Sequence, residues 1–221
     1  MRRITRPEIL DTPNTSPEEV RDSLVDLQRI NRWFGGIRTT QQMVDEVLRT
    51  TQKTELTMLD VASATGDIPQ NIQQRLRHRG VKFDYMLLDR DPEHFAGNHT
   101  SRKVRGDALA LPFRDNSFDL VACSLFAHHL EPYQVSRFAM EALRVSRIAL
   151  LINDLRRSYL HLAAVYAGAP LFRRITRHDS VASVWNSYTM SEMADLLKAV
   201  RKEGCSIRGS YLFRMGAIAW K

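Results

Sequence analysis

Apolar and polar positions recur at helical spacing up to about residue 50 and then change pattern. Ser16-Pro17-Glu18-Glu19 supplies a capping hydroxyl, a proline at the first helical position and a glutamate three residues past the cap, so an amphipathic helix is predicted over 17–33. Gly35-Gly36 breaks it. A second helix, predicted over 39–48, sets Met43, Val44, Val47 and Leu48 on one face. From residue 56 onward, short uninterrupted apolar runs alternate with amphipathic stretches. Strands are predicted over 56–62, 85–88, 103–105, 118–124 and 147–153, and helices over 68–79, 92–98 and 132–143. Continuous apolar strands separated by helices mark a parallel sheet covered on both faces, hence an α/β, doubly wound fold. The alternation stops at 155–188, an aromatic and basic segment longer than an ordinary connection, which reads as a lid. Thr189 and Glu192 cap a further helix to about 202, and 206–221 reads as two short strands that pair as a hairpin at one side of the sheet. The expected organisation is an N-terminal arm and helical cap over 1–50, then a doubly wound domain over 51–221 with the lid inserted at about 155–188.

Composition narrows the class. A chain of 221 residues with 43% hydrophobic content fills one core, which excludes a disordered or fibrous protein. No apolar run is long enough to cross a bilayer, and the first residues carry charge and proline where a signal peptide has an apolar segment, so the expectation is a cytoplasmic protein with no membrane span. The two cysteines, Cys123 and Cys205, are too few for a disulfide framework. The net charge of +7 raises the question of an anionic partner. The arginines are scattered, apart from Arg156-Arg157 and Arg173, Arg174 and Arg177, and no basic run is interleaved with aromatics, so a solvated basic face is favoured over a nucleic-acid groove.

Ligands of doubly wound sheets bind beyond the carboxyl ends of the strands. The first such loop reads Asp60-Val61-Ala62-Ser63-Ala64-Thr65-Gly66-Asp67. Small residues at Ala62, Ser63, Ala64 and Gly66 let a ligand approach the backbone, the following helix offers unpaired N–H groups, and Asp60 is placed to orient the loop. About twenty residues past Gly66, Asp89 with Arg90 beside it ends the next strand, where an acid accepts both hydroxyls of a ribose. Asp107-Ala108, after the strand 103–105, suits an adenine: a carboxylate for the exocyclic amine and apolar cover for the ring. Asp119 is placed before an apolar strand that ends at Ser124.

Two further loops carry titratable groups. His128 and His129 follow the strand 118–124, and Asp154 follows 147–153. If those strands are neighbours, one histidine serves as a base and Asp154 fixes its tautomer. No cluster has the spacing of a metal site. The acceptor pocket is expected to be closed by Arg32, Trp33 and Phe34, and by Tyr159, Tyr166, Phe172, Arg173, Arg177 and His178 of the lid.

This order of elements resembles the class I S-adenosylmethionine-dependent methyltransferases from about residue 56 onward. The family's first motif is an acid followed by alternating glycines; here Ala62 and Ala64 stand at two of the glycine positions. Its ribose acid matches Asp89, its adenine acid Asp107 and its fourth-strand motif Phe118-Asp119-Leu120-Val121. Closest in flavour are small-molecule members of quinone and natural-product pathways, whose third motif also reads G-D-A-x-x-L-P-F, as 106–113 does here. The resemblance implies a Rossmann-like methyltransferase fold with a mostly parallel seven-stranded sheet. It implies S-adenosyl-L-methionine as cofactor and S-adenosyl-L-homocysteine as product, held around Asp60, Ala62, Ser63, Gly66, Asp89, Arg90, Asp107, Ala108 and Ser124. Similarity to sugar O-methyltransferases of natural-product pathways implies a His–Asp base, with His128 ahead of His129. The expected activity is metal-independent O-methylation of a small aromatic or polyketide-like hydroxyl compound, by a monomer or homodimer. C-methylation, an RNA-modifying protein and a cofactor-free interaction protein are the alternatives.

Overall fold

The computed structural model describes residues 1–10, 12, 15–95 and 102–221. Its strands are β1 (Glu55–Val61), β2 (Lys82–Asp89), β3 (Lys103–Arg105), β4 (Phe118–Ser124), β5 (Ser146–Leu155), β6 (Cys205–Gly209) and β7 (Arg214–Trp220). They form one seven-stranded sheet in the order β3-β2-β1-β4-β5-β7-β6. Every neighbouring pair is parallel except those of β7, which runs antiparallel to both β5 and β6. The C-terminal hairpin therefore closes one side of the sheet with its second strand slotted inside the first.

The helices are α1 (Pro17–Trp33), α2 (Gly36–Thr51), α3 (Asp67–Arg77), α4 (Pro132–Val145), α5 (Tyr159–Gly168), α6 (Arg174–Asn186) and α7 (Met190–Val200). Alternate residues along the strands feed two cores. On one face Met58, Leu87, Leu120 and Leu151 meet Val44 and Val47 of α2 and Ile72 and Leu76 of α3. On the other, Val61, Val121 and Leu150 meet Phe138 and Ala142 of α4 and Met193 of α7. Burying each of the larger side chains stabilises the fold by about 1.5–3 kcal/mol.

Local chemistry sets the ends. The capping box at Ser16 starts α1 as the sequence predicts, and a second at Thr189 starts α7. Gly35 turns the chain between α1 and α2 with φ +81°, where a Cβ would stand 2.5 Å from Cβ of Tyr211. α2 begins three residues earlier than its apolar stripe because its first turn buries polar groups: the Thr40 hydroxyl accepts from Asn153 Nδ2 at 2.9 Å, and Thr39 donates to Ser210 at 2.7 Å. The helix expected at 92–98 is only a 3-10 turn over Pro92–Phe95, and residues 96–98 lie outside the described residues.

Asp119 sits inside β4, at the end remote from the strand tips that carry ligands in this fold class. It accepts from the Thr57 backbone and hydroxyl, both at 2.9 Å, and pairs with Lys53 at 3.0 Å, which clamps β4 to β1. The lid is built of α5 and α6. Residues 1–10 run back over it: Ile4 N–H donates to the Trp185 carbonyl at 3.2 Å, and the Ile9 and Leu10 amides donate to the Asp179 carboxylate at 2.8 and 3.0 Å. Asn186 brackets Arg6 through both backbone groups, at 2.7 and 2.9 Å. The N-terminal arm is thus a strap bound to the lid. No described helix is long and apolar enough to cross a membrane.

Candidate active site

A cavity of about 1170 Å³ opens where β1, β2, β4 and β5 end. Pockets for one small ligand span roughly 300–1000 Å³, so there is room for two. One side is walled by the loops after β1, β2 and β3, the other by the strap, α1, α5 and α6.

On the first side, Asp60, Ala62, Ser63, Asp89, Arg90, Asp107, Ala108 and Ser124 all line the cavity, as the sequence predicts. The two alanines hold the left-handed backbone that glycine holds easily, Ala62 at φ 52° and Ala64 at φ 45°. Such a conformation costs an L-residue about 1 kcal/mol or more. It persists because the loop is pinned: Ala64 N–H donates to Asp89 Oδ2 at 3.0 Å, and Ser63 N–H to the Leu88 carbonyl at 3.2 Å. Oδ1 of Asp89 accepts from Asp91 N–H and faces His94 Nδ1, each at 3.1 Å. Asp89 therefore holds the loop as well as facing the cavity. Gly66 is outside the wall; with φ 67° it turns the chain into α3.

Charges in the floor are poorly compensated. Burial, with Asp67 and Asp89 nearby, pushes the Asp60 carboxyl well above the usual carboxylate range, and among the described residues it makes no hydrogen bond. Burial also raises Asp67, against hydrogen bonds from Asn31 and Thr65. Arg214, at the start of β7, is 2% exposed and lines the same cavity. Among the described residues its donors reach only the neutral oxygens of Asn31 and Phe34, each at 3.3 Å, and of Asn153 at 3.4 Å. Burial brings its guanidinium down to about 10.

Parallel pairing of β4 with β5 brings the His–Asp pair together. His128 is buried on a 3-10 turn after β4, and its Nδ1 lies 2.6 Å from Asp154 Oδ1, while its backbone N–H donates to Asp154 Oδ2 at 2.9 Å. The Leu155 amide adds a bond of 2.7 Å to Asp154 Oδ1. Burial alone would raise Asp154; the imidazole and the two amides hold it below the usual range.

Sequence reasoning missed Glu8. The strap carries it into the site, buried, with its Oε1 3.5 Å from His128 Nε2 and its Oε2 3.8 Å from His129 Nε2. Ser183 and Asn186 donate to the same carboxylate at 2.8 and 3.3 Å. The two imidazoles lie against each other, tilted by 32° with centroids 4.3 Å apart. Burial works to lower His128, but Asp154 and then Glu8 outweigh it and push it up to about 10. The two histidines in turn keep Glu8 ionised despite its burial.

The acceptor wall differs from the predicted one, and helical phase is the reason. Leu27, Ile30, Asn31 and Phe34 of α1 and the turn after it face the cavity, which turns Arg32 and Trp33 to solvent; Trp33 is 59% exposed. On α5, His161, Ala164, Val165 and Gly168 face inward, so Tyr159 and Tyr166 point out, 68% and 59% exposed. Phe172 and Arg177 line the cavity as expected. Arg173 instead pairs with Asp22, and His178 with Asp179 at 2.8 Å; neither reaches the wall, which α6 forms from Thr176, Asp179, Ser180 and Ser183.

A family profile for a methyltransferase domain matches residues 59–148. Phthiotriol/phenolphthiotriol dimycocerosates methyltransferase 1 of Mycobacterium ulcerans is 41% identical over 101 residues, which is 42% of this chain and 36% of that protein. Demethylmenaquinone methyltransferase of Staphylococcus aureus is 32% identical over 82 residues, 35% of this chain and 34% of that protein. The match thus spans about a third of the length of these relatives. Among solved structures, the plantazolicin methyltransferase BamL, crystallised with a triazolic desmethylPZN analog and SAH, superposes with a TM-score of 0.69 at 14% identity, over 92% of this chain and 91% of that one. A SAM-dependent methyltransferase of Aquifex aeolicus does so with a TM-score of 0.60 at 16% identity, over 94% and 99%. The profile match covers residues 59–148, less than half of the chain, and over nearly its whole length the chain has the fold of these solved S-adenosylmethionine-dependent methyltransferases, a mostly parallel seven-stranded sheet.

Proposed function

We propose that this protein transfers the methyl group of S-adenosyl-L-methionine to a hydroxyl oxygen of a small aromatic or polyketide-like acceptor, with His128 and Asp154 as the base and no metal in the chemistry. The observation that carries the reading is the buried His128–Asp154 pair at 2.6 Å, its remaining ring nitrogen facing Glu8 at 3.5 Å, with His128 and Glu8 both lining a cavity of about 1170 Å³. The donor set suits the cofactor. Asp89 takes the ribose hydroxyls, Asp107 the adenine amine, Asp60 the ammonium that would restore its own charge, and Arg214 the carboxylate that its site lacks. Relatives named as a phthiotriol/phenolphthiotriol dimycocerosates methyltransferase and a demethylmenaquinone methyltransferase, and a structural neighbour crystallised with SAH, support the coarser part of the reading, methyl transfer to a small molecule.

Bound cofactor supplies a methyl carbon on a sulfonium, so the protein's task is alignment and removal of one proton. The acceptor hydroxyl takes the place of Glu8 at Nε2. With Asp154 as its one remaining carboxylate partner, the imidazole accepts the hydroxyl proton as the C–O bond forms and the C–S bond breaks. Leu24, Leu27, Phe34, Phe172 and Phe213 in the wall cover an apolar skeleton. The test is turnover on small phenols, read as the gain of one methyl by mass spectrometry. His128→Ala and Asp154→Ala each lower kcat about a hundredfold or more, while affinity for S-adenosyl-L-homocysteine stays within about twofold. Wild-type turnover in both variants overturns the base.

A further inference from the structure

Three donors from distant parts of the chain converge beside the base. One oxygen of Glu8, one ring nitrogen of His128 and one of His129 all lie within 4.8 Å of one another. His128 is fixed by the Nδ1 contact to Asp154, and its buried Nε2 has no hydrogen-bond partner among the described residues; Glu8 is at 3.5 Å without the geometry of a bond. A carboxylate behind one ring nitrogen and an open coordination direction at the other is how proteins present histidine to a metal. We propose that Glu8, His128 and His129 bind a divalent transition-metal ion of the zinc class, and that the bound ion silences the base by taking the Nε2 lone pair.

Two imidazoles and one carboxylate are the donor set of open, three-ligand sites, and imidazole selects zinc, cobalt or nickel over magnesium or calcium. Around an ion with bonds of about 2.0–2.2 Å, tetrahedral ligand atoms lie roughly 3.3–3.5 Å apart. Glu8 approaches the two imidazoles with different oxygens, Oε1 at 3.5 Å from His128 Nε2 and Oε2 at 3.8 Å from His129 Nε2, and one atom from each of the three residues lies within 4.8 Å of the others, so the set contracts on loading. That contraction falls on the strap, which is held to the lid by hydrogen bonds from Asn186 and to Asp179, and on the partly open ring of His129. All three residues line the cavity. An ion here also staples the strap to the turn after β4, so loading protects residues 1–10 from hydrogen exchange.

The binding claim stands apart from the proposed activity; only the silencing rests on it. Cofactor-free, chelator-treated protein is titrated with zinc against a chromophoric chelator, and cobalt is used as a visible-absorption probe. The wild type binds one ion, and Glu8→Gln and His129→Ala each weaken binding at least tenfold. Asp154→Asn, which disturbs the carboxylate behind His128, weakens it about tenfold to a hundredfold. Circular dichroism of each variant confirms folding, and His129→Ala, at the most open of the three positions, is the safest. Zinc that does not bind, or that binds equally to Glu8→Gln and His129→Ala, overturns the site even if His128→Ala abolishes turnover. Zinc that binds as stated without lowering turnover of the wild type keeps the site and removes the silencing.

Discussion

The side of the cavity made by the loops after β1, β2 and β3 takes its walls from residues that stand at or just beyond strand ends. The opposite side takes its walls from the strap, one end of α1 and the inner faces of α5 and α6, elements that meet only in the folded chain. On the first side the backbone does the positioning: Ala64 is hung on Asp89, and Gly106 donates to the Asp89 carbonyl at 3.0 Å. On the second, side chains position one another. Glu8 reaches Ser183, which lies 175 residues away along the chain. The comparison suggests a division of labour. Under the proposed function, the first half would hold the cofactor on a rigid frame and the second would shape itself around the acceptor.

The sharpest way to break that comparison is Asp89. If the frame is rigid because this carboxylate fastens the β1 loop, Asp89→Ala removes both the anchor of Ala64 and the acceptor for a ribose. The expected loss of affinity for S-adenosyl-L-homocysteine is about a hundredfold or more, since charge-assisted hydrogen bonds contribute roughly 1.5–3 kcal/mol each. Calorimetry reads it directly. A loss under about fivefold would mean that the loop holds its shape without β2 and that the ribose is gripped elsewhere.

The same contrast explains what could be read from the chain alone. Asp60, Asp89 and Ser124 are legible because each stands at the end of an apolar strand, and strands announce themselves by composition; Asp107 follows the polar strand Lys103–Arg105 and is legible from the motif at 106–113 instead. His128 and Asp154 are legible for the same reason as the strand-end residues, because each stands at or beyond the end of an apolar strand and the two strands are neighbours. Trp33, Tyr159 and Tyr166 misled because aromatic content says nothing about phase: α5 is apolar all round, so its sequence does not tell which face turns inward. Glu8 had no local signal. Arg6-Pro7-Glu8 looks like any polar arm, and its meaning lies in Ser183, Asn186 and His128. Arg214 was hidden for a related reason, since a cation at the start of a strand ordinarily reads as solvated.

His161 tests the acceptor half through its stability. The ring stacks on Phe213 at 4.6 Å and is held by the Arg156 carbonyl at 3.1 Å. Burial, helped by the charges of Arg214 and Arg156, brings it down to about 4 from an ordinary value of 6.5. The unfolded chain therefore takes up this proton at a higher pH than the folded one. Its contribution is fully present above about pH 6.5 and is lost as pH falls toward 4, at up to about 1.4 kcal/mol per pH unit and on the order of 3 kcal/mol in all. Denaturant unfolding of the wild type and of His161→Phe between pH 7.5 and 4.5 isolates this group by difference. The gap between the two narrows or reverses toward acid; a gap that does not change with pH removes the assignment.

The smallest effect bears on the cofactor half, and its sign is the informative part. Ala62 and Ala64 keep a left-handed backbone at a cost that glycine avoids, against which glycine loses more freedom on folding. The balance predicts that Ala62→Gly and Ala64→Gly each raise stability by about 0.5–1 kcal/mol, a gain of roughly 1–4 °C in Tm for a chain of this size. Ala163, exposed within α5, is the control: the identical substitution there lowers stability by about 1 kcal/mol, because a right-handed helix offers glycine nothing in return. Opposite signs at the two places show that the loop stores strain which the Asp89 anchor sustains. Three losses of equal size would mean that the turn is relaxed as it stands, and the rigid frame would then owe nothing to that anchor.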